Sequence, residues 1–261
     1  MIIKVQDLVK KFGDFVAVDK ISFEVPEGEI LAFLGPNGAG KTTTIKMLTT
    51  VLSPTGGQIT LNGFNPLTQK DKARQSFGIV FQDASVDEEL TAYENMEVHA
   101  VLYNVPRTER KKLIQHLLEF VELWDRKNEF VKNFSGGMKR RLEIAKGLLH
   151  HPKILFLDEP TQGLDPQTRN HIWEYIRKIN QEEKMTVFFT THYIEEAEKI
   201  ADRVVVVDHG KVVAVGTPEE LISKAGVDNL EDAFIKLTGN TIREEQVDPN
   251  EQMMRRRFGG R

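Results

Sequence analysis

The segment Gly35-Pro36-Asn37-Gly38-Ala39-Gly40-Lys41-Thr42 constrains this 261-residue chain more than any other. It fits the pattern G-x-x-x-x-G-K-[ST], and it lies between an apolar run, Ile30 to Leu34, and a helical stretch, Thr43 to Leu52. Glycines in such a turn let successive backbone N–H groups point into one concavity, and the helix that follows adds partial positive charge there. Lys41 contributes a full positive charge and Thr42 a hydroxyl able to ligate a hard cation. A strand with no polar face, leading straight into that turn, needs cover on both sides. That requirement predicts a mainly parallel sheet with helices packed against it.

Ile154-Leu155-Phe156-Leu157 and Val187-Phe188-Phe189 are runs of the same kind, with helical stretches between and after them, so the core is expected to be α/β. Upstream, Phe15 to Val18 and Ile21 to Val25 alternate in part, and Pro26 to Glu29 reads as a turn, which predicts an N-terminal antiparallel β subdomain. Val204 to Val207 and Val212 to Val215 flank Asp208-His209-Gly210-Lys211 and predict a hairpin. Between about 88 and 150 strand signal gives way to helical periodicity. Leu113, Leu117, Val121 and Trp124 form an apolar stripe with Lys111, Lys112 and Glu119 off it, so an inserted α-helical subdomain is expected there. One domain is expected over 1–238, followed by a polar, partly basic tail over 239–261 that holds Arg255 to Arg257.

Composition narrows the chemistry. Apolar residues are 40% of the chain, enough for a substantial core, and there is no cysteine for disulfides, thiolate metal sites or thiol catalysis. Lys plus Arg is 35 against 39 Asp plus Glu, so no excess of cations exists to neutralise a nucleic-acid backbone, and no nucleic-acid partner is expected. No apolar run approaches the roughly 20 residues that span a bilayer. Asp7, Lys10 and Lys11 stand where a signal peptide would be apolar. A soluble, cytosolic protein is the expectation.

Asp158 and Glu159 end the second apolar run. Such acids are common at the edge of a buried sheet. Beside a phosphate-binding turn they take on roles: Asp158 holding Mg²⁺ and Glu159 polarising the attacking water, with Lys41 on the β- and γ-phosphates. Together the two elements read as a nucleoside triphosphatase. Asn133-Phe134-Ser135-Gly136-Gly137-Met138 adds a second candidate phosphate site, with Ser135 as the N-cap of a helix carrying Leu142, Ala145, Leu148 and Leu149 on its apolar face. One nucleotide cannot sit on two such ends far apart in one subunit, so a partner would have to present one of them.

In order, these segments resemble the ATP-binding subunit of ABC transporters over nearly the whole chain. Gly35 to Thr42 matches Walker A, Gln82 the Q-loop and Asn133 to Met138 the signature sequence. Asp158 and Glu159 match Walker B and its glutamate, Gly163-Leu164-Asp165 the D-loop and His192 the switch histidine. Phe12, before Gly13, matches the aromatic that stacks on adenine. The signature departs from Leu-Ser-Gly-Gly-Gln at both ends, with Phe134 and Met138, and Met138 loses an amide. The resemblance implies that ATP is held by Phe12, Gly35, Pro36, Asn37, Gly38, Ala39, Gly40, Lys41, Thr42 and Thr43. Ser135, Gly136, Gly137 and Asp165 would complete the site. Mg²⁺ would be held by Thr42, Gln82 and Asp158, and hydrolysis driven by Glu159, His192, Gln82 and Lys41.

It further implies a head-to-tail homodimer with two ATPs sandwiched between Walker A of one copy and Ser135 and Gly137 of the other. The partner implied is a polytopic permease on the inner face of the cell membrane, contacted through the loop 83–87. Leu90 to Asn95 and Leu230 to Gly239 resemble exporter ATPases of the drug-resistance and sodium-efflux type. An importer ATPase would share every site residue. A soluble ABC ATPase acting on DNA or ribosomes usually carries coiled coils, zinc modules or a second cassette, and a regulatory cassette without turnover commonly lacks the carboxylate at Glu159. The remaining histidines, including His150 and His151, are read as surface or core residues.

Overall fold

A computed structural model describes residues 1–239. Residues 240–261, which hold all but the first residue of the expected tail, lie outside the described residues. The first half of the chain contains β1 (Ile3–Phe12), β2 (Phe15–Val25), β3 (Ile30–Leu34), α1 (Lys41–Leu48), β4 (Gly56–Leu61), α2 (Lys70–Gln75), β5 (Phe77–Val80), α3 (Ala92–Leu102) and α4 (Arg107–Phe120). It continues with α5 (Gly136–Gly147), β6 (Ile154–Asp158), α6 (Pro166–Glu183), β7 (Thr186–Thr191), α7 (Ile194–Ile200), β8 (Arg203–Asp208), β9 (Lys211–Gly216), α8 (Pro218–Ala225) and α9 (Leu230–Thr238).

Six strands form one sheet in the order β5-β6-β7-β3-β8-β9. All are parallel except β9, which returns antiparallel from β8 as the expected hairpin. Every residue of β3, β6 and β7 is buried, as strands with no polar face require. Alternation sends successive residues to opposite faces. Leu155, Leu157, Val187, Phe189 and Leu34 join one apolar cluster with α3, α4, α5 and α6. Ile154, Phe156, Phe188, Leu31 and Phe33 join a second with α1 and the antiparallel sheet β2-β1-β4. In that second cluster the rings of Phe23, Phe33, Phe188, Phe156 and Phe77 form a chain with centroids 5.4–5.9 Å apart. Each such pair contributes about 0.5–1.5 kcal/mol beyond its burial.

Several local expectations are corrected. The helix after the glycine turn starts at Lys41 and closes at Leu48, not Leu52, because the chain turns left-handed at Thr50 (φ 64°). The two runs 15–18 and 21–25 are one strand, β2, and Lys20 at φ 49° explains why the alternation breaks between them. The stripe 113–124 outlasts its helix: α4 ends at Phe120, Glu122 has φ 56°, and Trp124 lies in a separate 3-10 turn. β4 and β5, the third strand of the antiparallel sheet and the edge of the parallel one, had no clear pattern. β4 opens on two glycines and β5 is four residues with Gly78 inside.

That glycine sets where α5 sits. A Cβ at Gly78 would lie 2.2 Å from the carbonyl oxygen of Gly147, so the last turn of α5 rests directly on the β5 backbone. Gly78→Ala should therefore cost about 1–3 kcal/mol in urea unfolding, the usual penalty of overpacking. A loss below about 0.5 kcal/mol would mean that α5 lifts freely off the sheet.

Candidate active site

The parallel order β6-β7-β3 brings three strand ends side by side at the C-terminal edge of the sheet, where α/β folds bind ligands. Asp158 is paired with Thr190, and Leu34 with Thr191, so the glycine loop, the two carboxylates and His192 leave the sheet at one level. The loop is tied across by a bond from Gly35 N–H to the Thr191 carbonyl, 3.3 Å. Gly40 caps α1 at φ 97°, and a Cβ there would lie 2.6 Å from the Ala17 carbonyl oxygen. No other residue type satisfies both conditions.

Lys41, 4% exposed, bends back over the loop. Its ammonium donates to the carbonyls of Gly35 (2.9 Å) and Pro36 (3.2 Å) and pairs with Glu159 Oε1 at 3.2 Å. The other oxygen of Glu159 accepts a hydrogen bond from His192 Nδ1 at 2.8 Å. Burial pushes the Glu159 carboxyl up, but the histidine bond and the lysine charge outweigh it and hold the group below the ordinary carboxylate range. Burial pushes Lys41 down, against the pull of Glu159. One step upstream, Asp158 Oδ1 accepts from Thr190 Oγ1 (2.6 Å) and Thr42 Oγ1 (3.3 Å). Those bonds do not offset its burial, which raises its carboxyl.

Glu159 itself has φ 46°, a left-handed conformation costing about 1–3 kcal/mol in a residue with a side chain. The surroundings pin it. Its N–H donates to the Thr190 carbonyl (3.2 Å) and hydroxyl (3.0 Å), and its carbonyl accepts from Arg140 (3.0 Å). Such strain at the end of a buried strand marks a side chain aimed for a purpose rather than for packing.

The remaining predicted residues lie around this centre. Ala39 is buried, Asn37 and Gly38 are exposed on the loop crest, and Pro36, Thr42 and Thr43 are half-buried. The Gln82 amide donates to Gln162 Oε1, just beyond the carboxylates, at 2.5 Å. Ser135 caps α5 by accepting from Met138 N–H at 3.3 Å, while the Met138 side chain packs on the apolar cluster. Ser135 and Gly136 are exposed, and Gly137 is buried beside Thr168 at the start of α6. Asp165 caps α6 through Thr168 N–H (3.0 Å) and hydroxyl (2.6 Å), and those bonds hold its carboxyl below the ordinary range. Phe12, 36% exposed, ends β1 with the Lys10 ammonium 5.0 Å from its ring centroid. Among the described residues, no hydrogen bond or ion pair joins Phe12, Ser135, Gly136, Gly137 or Asp165 to the centre formed by Lys41, Asp158, Glu159 and His192. His150 is half-buried, stacked on Tyr103 at 4.0 Å and bonded to the Phe77 carbonyl, which fits its reading as a packing residue.

Three residues went unread in the sequence. Thr190 bonds both Asp158 and Glu159, and its place in Thr190-Thr191-His192, at a strand end, was the available signal. Buried Glu196 accepts from Thr161 and, at 2.8 Å, from Thr191, tying the two loops that flank His192 and Glu159. Arg140 had no such signal. Thr190→Val keeps the shape and removes both bonds, so it should cost about 1–3 kcal/mol in denaturant unfolding. An unchanged midpoint would mean that the Thr190 hydroxyl does not hold the carboxylates.

The chain is similar to known proteins along most of its length. The family model described as ABC transporter matches residues 18–162. The linearmycin resistance ATP-binding protein of Bacillus subtilis is 40% identical over 242 residues, 93% of this chain and 76% of the relative. The Nod factor export ATP-binding protein I of Ralstonia nicotianae is 40% identical over 222 residues, 85% of this chain and 69% of the relative. A dimeric ATP-binding cassette in a post-hydrolysis state, bound to ADP and phosphate, superposes with a TM-score of 0.74 at 28% identity, over 82% of this chain and 98% of that one. A glycine loop closing on buried Lys41, two carboxylates and a histidine at adjacent strand ends, and these matches along most of its length, identify the chain as a member of the ABC transporter family, an ATP-binding subunit that hydrolyses ATP.

Proposed function

We propose that this chain is the energising subunit of an exporter, coupling ATP hydrolysis to movement of a substrate through a separate polytopic permease. Support for export comes from relatives named for drug resistance and for Nod factor export. No described helix is long and apolar enough to cross a membrane, so the pathway for substrate is assigned to the permease. The chain then works at the inner membrane face, with the loop 83–87 and the helical region 88–150 meeting the permease.

The single observation that carries the mechanism is the link Lys41–Glu159–His192 at 3.2 and 2.8 Å. Incoming β- and γ-phosphate oxygens compete with Glu159 for the Lys41 ammonium. Once Lys41 turns to phosphate, Glu159 is released from its cation while still held by His192, and its carboxylate is free to take a proton from water. Backbone N–H groups within residues 37–42 and the Thr43 hydroxyl cradle the phosphates, and Phe12 stacks on the base. Gln82 senses the reacting end and passes its state to the loop 83–87.

The donor set at the Thr42 hydroxyl and Asp158 carboxylate, 3.3 Å apart, consists of hard oxygens and suits Mg²⁺ shared with phosphates and water. Among the described residues no cluster of three or more His, Cys, Asp or Glu could hold a metal unaided. Nucleotide oxygens would complete the shell. A divalent cation there also answers the burial that raises Asp158. Bound Mg²⁺ would neutralise developing charge on the phosphates, with Thr42, Asp158 and Gln82 holding it.

We assign the complete pocket to two copies of the chain. Ser135, Gly136 and Asp165 are exposed, and in a head-to-tail homodimer Ser135, Gly137 and Asp165 of one copy close over the nucleotide held by Lys41 of the other. Glu159→Gln should keep ATP affinity, lose at least about a hundredfold in turnover, and run as a dimer on a sizing column with ATP. As an ATP-trapped bait it should retain a polytopic membrane protein from native membranes. Undiminished hydrolysis would remove Glu159 as the base, and retention of only soluble proteins would count against the exporter reading.

A further inference from the structure

Arg140 gathers three backbone carbonyls from two different nucleotide-facing loops. It stands one turn into α5, the helix capped by Ser135, and is 7% exposed. Its Nε donates to the Pro160 carbonyl (2.6 Å), one terminal nitrogen to the Phe81 carbonyl, and the other to the Glu159 carbonyl (3.0 Å). The same nitrogen that reaches Phe81 pairs with Glu143 Oε2 at 3.2 Å. Four bonds thus draw on the guanidinium's five donors, in one plane. Phe81 precedes Gln82, and the Glu159 and Pro160 carbonyls belong to the turn that aims the glutamate.

The same face of α5 continues the grip. Glu143 accepts from the N–H and hydroxyl of Ser85, and Lys146 donates to the Ser85 carbonyl (3.0 Å) and hydroxyl (2.6 Å). Residues 140, 143 and 146 follow at three-residue spacing, so one helical face holds both ends of the stretch 81–85 and the turn 159–160. A lysine in place of Arg140 would carry the charge but not the planar fork that meets three carbonyls. Burying a guanidinium carries a desolvation cost that packing alone does not require. The Glu159 peptide it holds is the strained one, at φ 46°, with its N–H fixed by Thr190 and its carbonyl by Arg140.

We infer that Arg140 is a positioning residue for hydrolysis: it locks the peptide of Glu159 and the start of the Gln82 loop to the helix that bears the Ser135–Gly137 cap. Cap, loop and base are thereby held in one fixed relation, with Thr190 tying the base to the sheet from the other side. The inference rests on the assignment of Glu159 as base and of Ser135–Gly137 as a cap acting in trans.

The test uses the full chain with MgATP, and compares Arg140→Lys and Arg140→Gln with the parent. Equilibrium titration with ATP gives the number of competent sites, so turnover is read per binding site and partial unfolding does not imitate the effect. Arg140→Lys should lose at least about tenfold in kcat, since small misplacement of a catalytic group is costly, with KM and ATP affinity within about threefold of the parent. Arg140→Gln, which removes the buried charge and keeps a donating amide, should fall in the same direction. Parental kcat per site in either soluble variant, or a rise in KM that accounts for the loss, would overturn the inference. Glu159→Gln measured alongside separates the two claims. An active Glu159→Gln removes the base assignment, whereas an inactive one beside a fully active Arg140→Lys removes only the role of Arg140.

Discussion

The ion pair between Lys41 and Glu159 is the interaction on which the rest of this site depends. Both side chains are nearly sealed from water, at 4% and 7% exposure, and their charged atoms lie 3.2 Å apart. A buried pair of this kind gains little stability, because the desolvation of two charges roughly offsets their attraction, and well-packed apolar residues would serve the fold as well. A pair the fold does not need points to chemistry. The pair is possible only because β3 and β6 flank β7 in the parallel sheet, so that the glycine loop and the carboxylates emerge on neighbouring ridges.

Around that pair the structure distributes restraint unevenly. His192, Thr190 and Arg140 fix the side chain, N–H and carbonyl of Glu159 in turn. By contrast, Ser135 and Asp165 satisfy local caps, and both they and Gly136 are exposed. In the proposed two-copy pocket, one half is preorganised and the other half is presented. This asymmetry is what a shared site between two copies requires, since a preformed catalytic half must still open to exchange nucleotide.

The parts of this arrangement that were legible in the sequence are those whose cause is local. The glycine turn, the three apolar runs and the cap at Ser135 are written in consecutive residues, and the resemblance to ABC subunits drew on the same segments. The hidden parts have causes far along the chain. Arg140 is bound to carbonyls 59, 20 and 19 residues away, and a carbonyl belongs to every residue type, so nothing in its neighbours marks it. β5 is a strand because β6 offers it an edge and Gly147 rests on Gly78, not because Phe77-Gly78-Ile79-Val80 alternates. The stripe that ran past α4 shows the converse. Val121 and Trp124 keep the spacing while Glu122 at φ 56° ends the helix, and Val121 is buried from outside it.

The claim that two chains complete each other's pocket is tested most directly by mixing two inactive proteins. Lys41→Met removes the phosphate cation from one copy, and Ser135→Arg blocks the cap of the other. In a mixed dimer a shared architecture leaves one site doubly damaged and the other wholly intact, built from the unaltered loop of one chain and the unaltered cap of its neighbour. Hydrolysis absent from each protein alone should return on mixing, in proportion to the mixed dimer formed. If the mixture stays as inactive as its components while mixed dimers are present, loop and cap act within a single chain and the shared pocket is contradicted.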